Sequence, residues 1–207
     1  IPENVTLVAV SKTKPIADLQ EAYDAGQRIF GENKVQEMVE KYEALPKDIQ
    51  WHMIGHLQSN KVKYMAPFVD LIHGVDSFST LKEINKQAAK NNRIIKCLLQ
   101  ASIADEETKF GLSFEEITAI LASKELAEMH HISIVGLMGM ATFTDDTLKI
   151  SSEFSSLKKL FDALKVSNPS LTILSMGMSG DYQIAIENGS TMIRVGSSIF
   201  GNRNYIL

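Results

Sequence analysis

Cysteine is almost absent from this chain, and proline and tryptophan are scarce: 207 residues include one Cys, five Pro and one Trp. The lone Cys97 cannot close an internal disulfide. No charged-then-apolar leader precedes the first strand, so a reducing, cytoplasmic setting is the simplest expectation. Apolar stretches fall far short of the roughly 20 residues needed to cross a bilayer, so a soluble protein without membrane attachment is expected. Positive charge is not in excess either. The formal net charge is −4, which argues against a nucleic acid partner while leaving room for a local anion pocket. Metal-ligand spacing is missing as well: there is no His-Glu-x-x-His and no cysteine pair, so no metal is expected. His52, His56 and His73 accordingly read as satisfied structural histidines, and Cys97, inside the apolar run 94–99, as buried filler.

What the chain does have is an ordinary globular composition, 44% hydrophobic and 22% charged, with enough length for one full core. A β-branched run at Val5 to Ser11 is followed by Pro15, a residue suited to the first turn of a helix, and by an apolar stripe at Ile16, Leu19, Ala22 and Tyr23 that ends at Gly26. The same unit recurs. Strands are expected at Arg28 to Gly31, Gln50 to Ile54, Val69 to Val75, Ile94 to Gln100, Ile132 to Met140, Leu171 to Met176 and Thr191 to Val195.

Helices fall between them. One passes through Val35, Met38 and Tyr42, one spans about Leu57 to Pro67, and one opens at Ser77 or Ser79 and runs through Leu81, Ile84 and Ala88. Ser113 and Glu116 match a capping box ahead of Ile117, Ile120 and Leu121. Ile150, Phe154, Leu157, Phe161 and Leu164 form the face of a long helix, and a short one is expected from Ser179 to Asn188. Eight strands alternating with helices, with no Gly- or Ser-rich linker, fit a single α/β domain over residues 1–207 folded as a (β/α)8 TIM barrel. Alternation alone also allows a doubly wound sheet, but the first βα turn, Ser11-Lys12-Thr13-Lys14-Pro15, lacks the glycine fingerprint of dinucleotide binding.

In such barrels the active face lies at the C-terminal strand ends, and phosphate commonly binds the loops after strands seven and eight. Those two loops, 175–181 and 194–201, are the richest in small residues. Taken singly, Ser179 reads as a helix N-cap and Gly177 and Gly196 as turn residues; taken together they suggest an anion site. Strand alternation puts Val8, Val10 and Lys12 on one face. If that face is the interior, Lys12 points into the barrel mouth, while Lys14, past the turn, faces outward. A lysine at an apolar cavity is disfavoured as an ammonium and becomes a competent imine-forming amine; a solvated lysine is the plain alternative. Arg194, ending the last strand, could touch a phosphate, face the edge of a bound ring or make a structural ion pair.

These residues also carry a resemblance. Val8-Ala9-Val10-Ser11-Lys12-Thr13-Lys14-Pro15, Phe30-Gly31-Glu32-Asn33, the stretch from Trp51 to Lys61, Lys109-Phe110-Gly111, Gly136-Leu137-Met138, Ser175-Met176-Gly177-Met178-Ser179 and the stretch from Arg194 to Gly201 are similar to those of the pyridoxal phosphate homeostasis proteins. That family's fold is like the barrel domain of alanine racemase. The resemblance implies pyridoxal 5′-phosphate as cofactor, carried by Lys12 as a Schiff base. It implies phosphate contacts from Ser179, Gly196 and Ser197, Arg194 at the pyridine nitrogen, and Asn33 and Met176 lining the ring. It also implies a helix before the first strand, for which Ile1 to Asn4 leave no room.

An arginine at the pyridine nitrogen favours the unprotonated ring and weakens it as an electron sink. Alanine racemase adds a second domain whose Tyr acts as the opposing base, and one barrel uses up this chain. The expected role is therefore a monomeric carrier or buffer of the cofactor in its homeostasis, with little or no catalysis and with apo forms of pyridoxal-phosphate-dependent enzymes as recipients. The competing expectation is an enzyme, an amino acid racemase or a Schiff-base aldolase.

Overall fold

In a computed structural model that describes residues 1–106 and 110–202, eight parallel strands close into a barrel in chain order. Strand β1 (Thr6–Val10) leads to helix α1 (Ile16–Asp24), β2 (Ile29–Glu32) to α2 (Val35–Ala44), and β3 (Gln50–Met53) to a 3-10 turn (Ser59–Lys61) and α3 (Val62–Met65). Next come β4 (Leu71–Val75) with α4 (Phe78–Lys90), and β5 (Ile95–Ala101) with α5 (Phe114–Ala122) and α6 (Lys124–Ala127). Then follow β6 (Ile132–Gly139) and α7 (Thr147–Ser167), β7 (Ile173–Met176) and α8 (Tyr182–Glu187), and β8 (Met192–Val195) and α9 (Ser197–Phe200). Closure comes from β8 pairing with β1, Arg194 standing opposite Val8. The barrel expected from the alternation is the fold, and the doubly wound sheet is excluded. Lys109 of the resembling stretches lies outside the described residues.

The caps explain where several helices begin. Ser77 accepts the N–H of Thr80 and so starts α4. The Ser113–Glu116 capping box closes both ways, at 3.0 Å each. Ser123 ends α5, which holds the expected stripe of Ile117, Ile120 and Leu121, and its hydroxyl accepts the Leu126 N–H to start the short α6. The helix expected over 57–67 is only the 3-10 turn and the single turn of α3. α8 begins at Tyr182, with Asp181 rather than Ser179 at its N-cap.

Strand parity sorts the apolar residues into two layers. Val8, Leu71, Leu98, Met138 and Met192 fill the barrel interior. A larger cluster, among it Phe30, Trp51, Ile84, Phe154 and Leu157, lies between the strands and the surrounding helices. Cys97 is in this outer layer, and burial pushes its thiol up to about 12, leaving it inert as expected for filler. None of the described helices is long and apolar enough to cross a membrane.

Candidate functional site

The C-terminal strand ends surround a cavity of about 660 Å³, a size suited to a small cofactor. Lys12, Asn33, Ser179, Arg194, Gly196 and Ser197 all line it. They come from the ends of β1, β2, β7 and β8, so chain closure brings together residues more than 180 positions apart. Met176 is not brought there. It follows Ser175 on β7, and alternation turns its side chain away from the interior into the layer facing the helices. Lys14 also departs from expectation: it lines the cavity instead of facing outward. Its Nζ lies 3.3 Å from each of the carbonyl oxygens of Phe200, Gly201 and Asn202, tying the β1 turn to the end of α9.

The two small-residue turns are joined to each other. The Gly196 N–H donates to Ser179 Oγ at 3.1 Å, and the Arg194 N–H donates to the Gly177 carbonyl at 2.9 Å. Gly177 has φ +107°, and a Cβ there would lie 2.7 Å from the Cβ of Ala185, so both the turn and the approach of α8 require glycine. Gly196 packs against β1, with Val10 only 3.2 Å from where its Cβ would stand. The N–H groups of Ser197 and Ser198 have no acceptor among the described residues. Those amides, a buried guanidinium and two lysines give the cavity a capacity for a dianion.

Arg194 ends a chain of buried polar groups that sequence reasoning did not assemble. Its Nη1 donates to Ser175 Oγ, and its Nη2 donates to the Gly139 carbonyl at 3.3 Å. Ser175 Oγ lies 2.9 Å from His73 Nδ1, and His73 Nε2 lies 2.9 Å from His52 Nδ1. His52 Nε2 in turn lies 3.5 Å from Asp70 Oδ2. Burial pushes the pKa of Arg194 down to about 10, with Asp181 opposing. Burial also lowers both histidines, His73 well below the ordinary value, so both are neutral near pH 7. The sequence signal was parity: His52, His73, Ser175 and Arg194 all stand at interior positions of their strands, where apolar residues would otherwise be expected.

A second cluster holds the turn that carries Lys12. Lys41 on α2 donates to the Ser11 carbonyl at 2.7 Å, to Glu32 Oε1 at 2.6 Å and to Glu37 Oε1 at 2.8 Å. The Ser11 hydroxyl donates to the same Glu32 oxygen at 2.7 Å. The Thr13 N–H donates to Glu37 at 2.6 Å, and Thr13 has φ 63°, a left-handed conformation unusual for a β-branched residue. Both neighbours of Lys12 are thus held by charged side chains, Ser11 by the buried Lys41 and Glu32 and Thr13 by the partly exposed Glu37.

A closed parallel barrel with a lysine at the first strand end, an arginine at the last and two linked small-residue turns beside them defines a barrel of the amine-bearing, anion-binding class. Residues 1–204 match the family described as alanine racemase, N-terminal domain. The pyridoxal phosphate homeostasis protein of Aquifex aeolicus is 39% identical over 96% of this chain and 87% of that protein. Its counterpart in Escherichia coli K12 is 38% identical over 99% of this chain and 88% of that protein. PipY of Synechococcus elongatus, solved with pyridoxal phosphate bound, superposes with a TM-score of 0.87 at 37% identity, covering 97% of this chain and 94% of PipY. Alanine racemase of Clostridium difficile superposes with a TM-score of 0.79 at 13% identity, over 100% of this chain and 54% of the racemase, which is a likeness of fold. This chain belongs to the pyridoxal phosphate homeostasis protein family.

Proposed function

We propose that the barrel mouth binds pyridoxal 5′-phosphate, that Lys12 holds it as a Schiff base, and that the protein carries or buffers the cofactor in its homeostasis. The observation that supports this most is the convergence of Lys12, Arg194, Ser179, Gly196 and Ser197 on one cavity. The residues fit the group. The Ser197 and Ser198 amides, without an acceptor among the described residues, and the turn tied by Ser179 suit a phosphate, the half-buried Lys12 suits an aldehyde, and the Arg194 guanidinium suits a ring nitrogen kept unprotonated. When bound, the cofactor supplies an electrophilic carbon and an electron-accepting ring. The protein's own residues orient it and hold its charge.

The carrier role, a monomeric state, a single domain over residues 1–207, a cytoplasmic setting and apo-enzymes as recipients belong to the same proposal. PipY, with its bound pyridoxal phosphate, supports the ligand. The lone buried Cys97 supports the compartment. A catalytic reading, racemase or Schiff-base aldolase, has one observation in its favour: His56 Nδ1 lies 3.6 Å from Asp76 Oδ2, and both line the cavity, offering a second titratable group.

The test is borohydride reduction of the purified protein with added cofactor, followed by peptide mass mapping. Label on Lys12 is expected, and label on Lys14 or Lys61 overturns the assignment. A panel of amino acids and sugar phosphates should show no turnover. Turnover lost in both Lys12→Ala and His56→Ala would replace the carrier with an enzyme.

A further inference from the structure

The polar chain beneath Arg194 has a direction, and one group fixes it. Arg194 can only donate, so Ser175 Oγ accepts from it. At the other end, the Asp70 carboxylate can only accept, because its pKa is held below the usual value, chiefly by His52. A neutral His52 facing that carboxylate therefore carries its proton on Nε2 and presents a bare Nδ1 to His73. His73 must then donate from Nε2 and present a bare Nδ1 to Ser175, whose hydroxyl proton goes there. The three hydrogen bonds are all satisfied in that one sense, and the His52 Nε2–H then faces the Asp70 carboxylate across 3.5 Å. In the reverse sense His52 would aim a lone pair at the carboxylate, and the Ser175 hydroxyl would have to find another acceptor.

Asp70 immediately precedes β4, at the opposite end of the strands from the cavity, and it is half-exposed. The geometry points to Asp70 as a positioning residue for Arg194: through His52, His73 and Ser175 it delivers the acceptor end of a polarised chain across the barrel to the guanidinium. Both Ser175 lone pairs are left for Arg194, which is held between that hydroxyl and the Gly139 carbonyl with its remaining N–H groups available to the cavity. Without Asp70 either sense of the chain becomes accessible, and the guanidinium loses its fixed support. The orientation of Arg194 toward a bound ring rests on the proposed function; the direction of the chain does not.

Two readouts separate these. Long-range 1H–15N correlation spectra of the cofactor-free protein at pH 7 should show His52 and His73 as Nε2–H tautomers, and Asp70→Ala should populate Nδ1–H forms of both. Asp70→Asn, whose carboxamide oxygen still accepts, should retain the parent tautomers, whereas Asp162→Ala, a surface carboxylate paired with Lys158, should change nothing. Titration with pyridoxal phosphate should then give a shifted absorption maximum and roughly threefold weaker binding in Asp70→Ala. Unchanged histidine tautomers in Asp70→Ala overturn the proposal, as do changed tautomers with the parent's absorption and affinity. If the parent itself shows no bound-cofactor absorption, the functional reading fails and the tautomers alone decide whether Asp70 directs the chain.

Discussion

Lys41 Nζ lies 2.6 Å from Glu32 Oε1 in the space between β2 and α2, and both side chains are buried. Burial pushes the Glu32 carboxyl up while Lys41 and Ser11 pull it down, so the pair is poised on its partner's presence. The second carboxylate oxygen, Oε2, has no partner among the described residues. Removing Lys41 alone would leave that charge uncompensated. Lys41→Met should destabilise the fold by about 3–5 kcal/mol in urea denaturation, and Glu32→Met with Lys41→Met should recover most of the loss. Equal stability of the single and double variants would show that the pair does not act as a unit.

Thr13 adopts φ 63° in an exposed turn directly after Lys12. Glycine takes this region without the Cβ clash that a β-branched residue meets, though it adds freedom to the unfolded chain. The strain of a non-glycine residue there is larger, of order 1–3 kcal/mol. Thr13→Gly should therefore raise stability by about 1 kcal/mol. The same change should loosen the turn and weaken cofactor retention, so the urea midpoint and the apparent Kd for pyridoxal phosphate should rise together. A lower midpoint would show that the side chain contributes more than its conformation costs.

The barrel was legible because its signal is local. Each β-branched run is followed by a helical stripe, and the strand parity that turns Val8, Val10 and Lys12 one way is a property of the strand alone. Lys12, Arg194 and the two small-residue turns were legible for a related reason, because barrels place chemistry at strand ends, whereas Asn33 and the role of Ser197 came only from the resemblance. Met176 was misplaced because the resemblance assigned it to the ring while parity, applied to β7, sends Ser175 inward and Met176 out. Lys14 was misjudged because its partners, the carbonyls of residues 200–202, lie 186 to 188 positions away. The chain from Asp70 to Arg194 draws on β3, β4, β7 and β8, and its members become neighbours only on closure.

Ser179 accepts the Gly196 N–H and so fixes the relative position of the two turns proposed to hold phosphate. Removing the hydroxyl frees that amide and loosens the turn without touching Lys12 or Arg194. Ser179→Ala should weaken binding of pyridoxal phosphate by about tenfold, the order expected for one hydrogen bond serving a charged group. Pyridoxal, which lacks the phosphate, should bind both proteins alike. Equal weakening for the two ligands would place Ser179's effect on the ring or on folding instead.

His52 and His73 are both depressed below 6.5 by burial, His73 the more strongly because His52 and Arg194 add to the effect. In the unfolded chain each takes up a proton near 6.5, whereas in the fold each stays neutral until a lower pH. Between those values the unfolded state binds more protons, so stability falls as pH falls. Their contribution is fully present above 6.5 and is lost progressively toward the depressed folded values. The urea midpoint should accordingly drop between pH 7 and about pH 5, before ordinary carboxylates titrate. His73→Gln keeps a polar group within reach of Ser175 and His52 but removes one titrating site, so its midpoint should be lower at pH 7 and flatter toward pH 5. A variant profile parallel to that of the parent would show that acid sensitivity arises elsewhere, with the Glu32 cluster excluded as its source because a raised carboxyl pKa favours the fold on acidification.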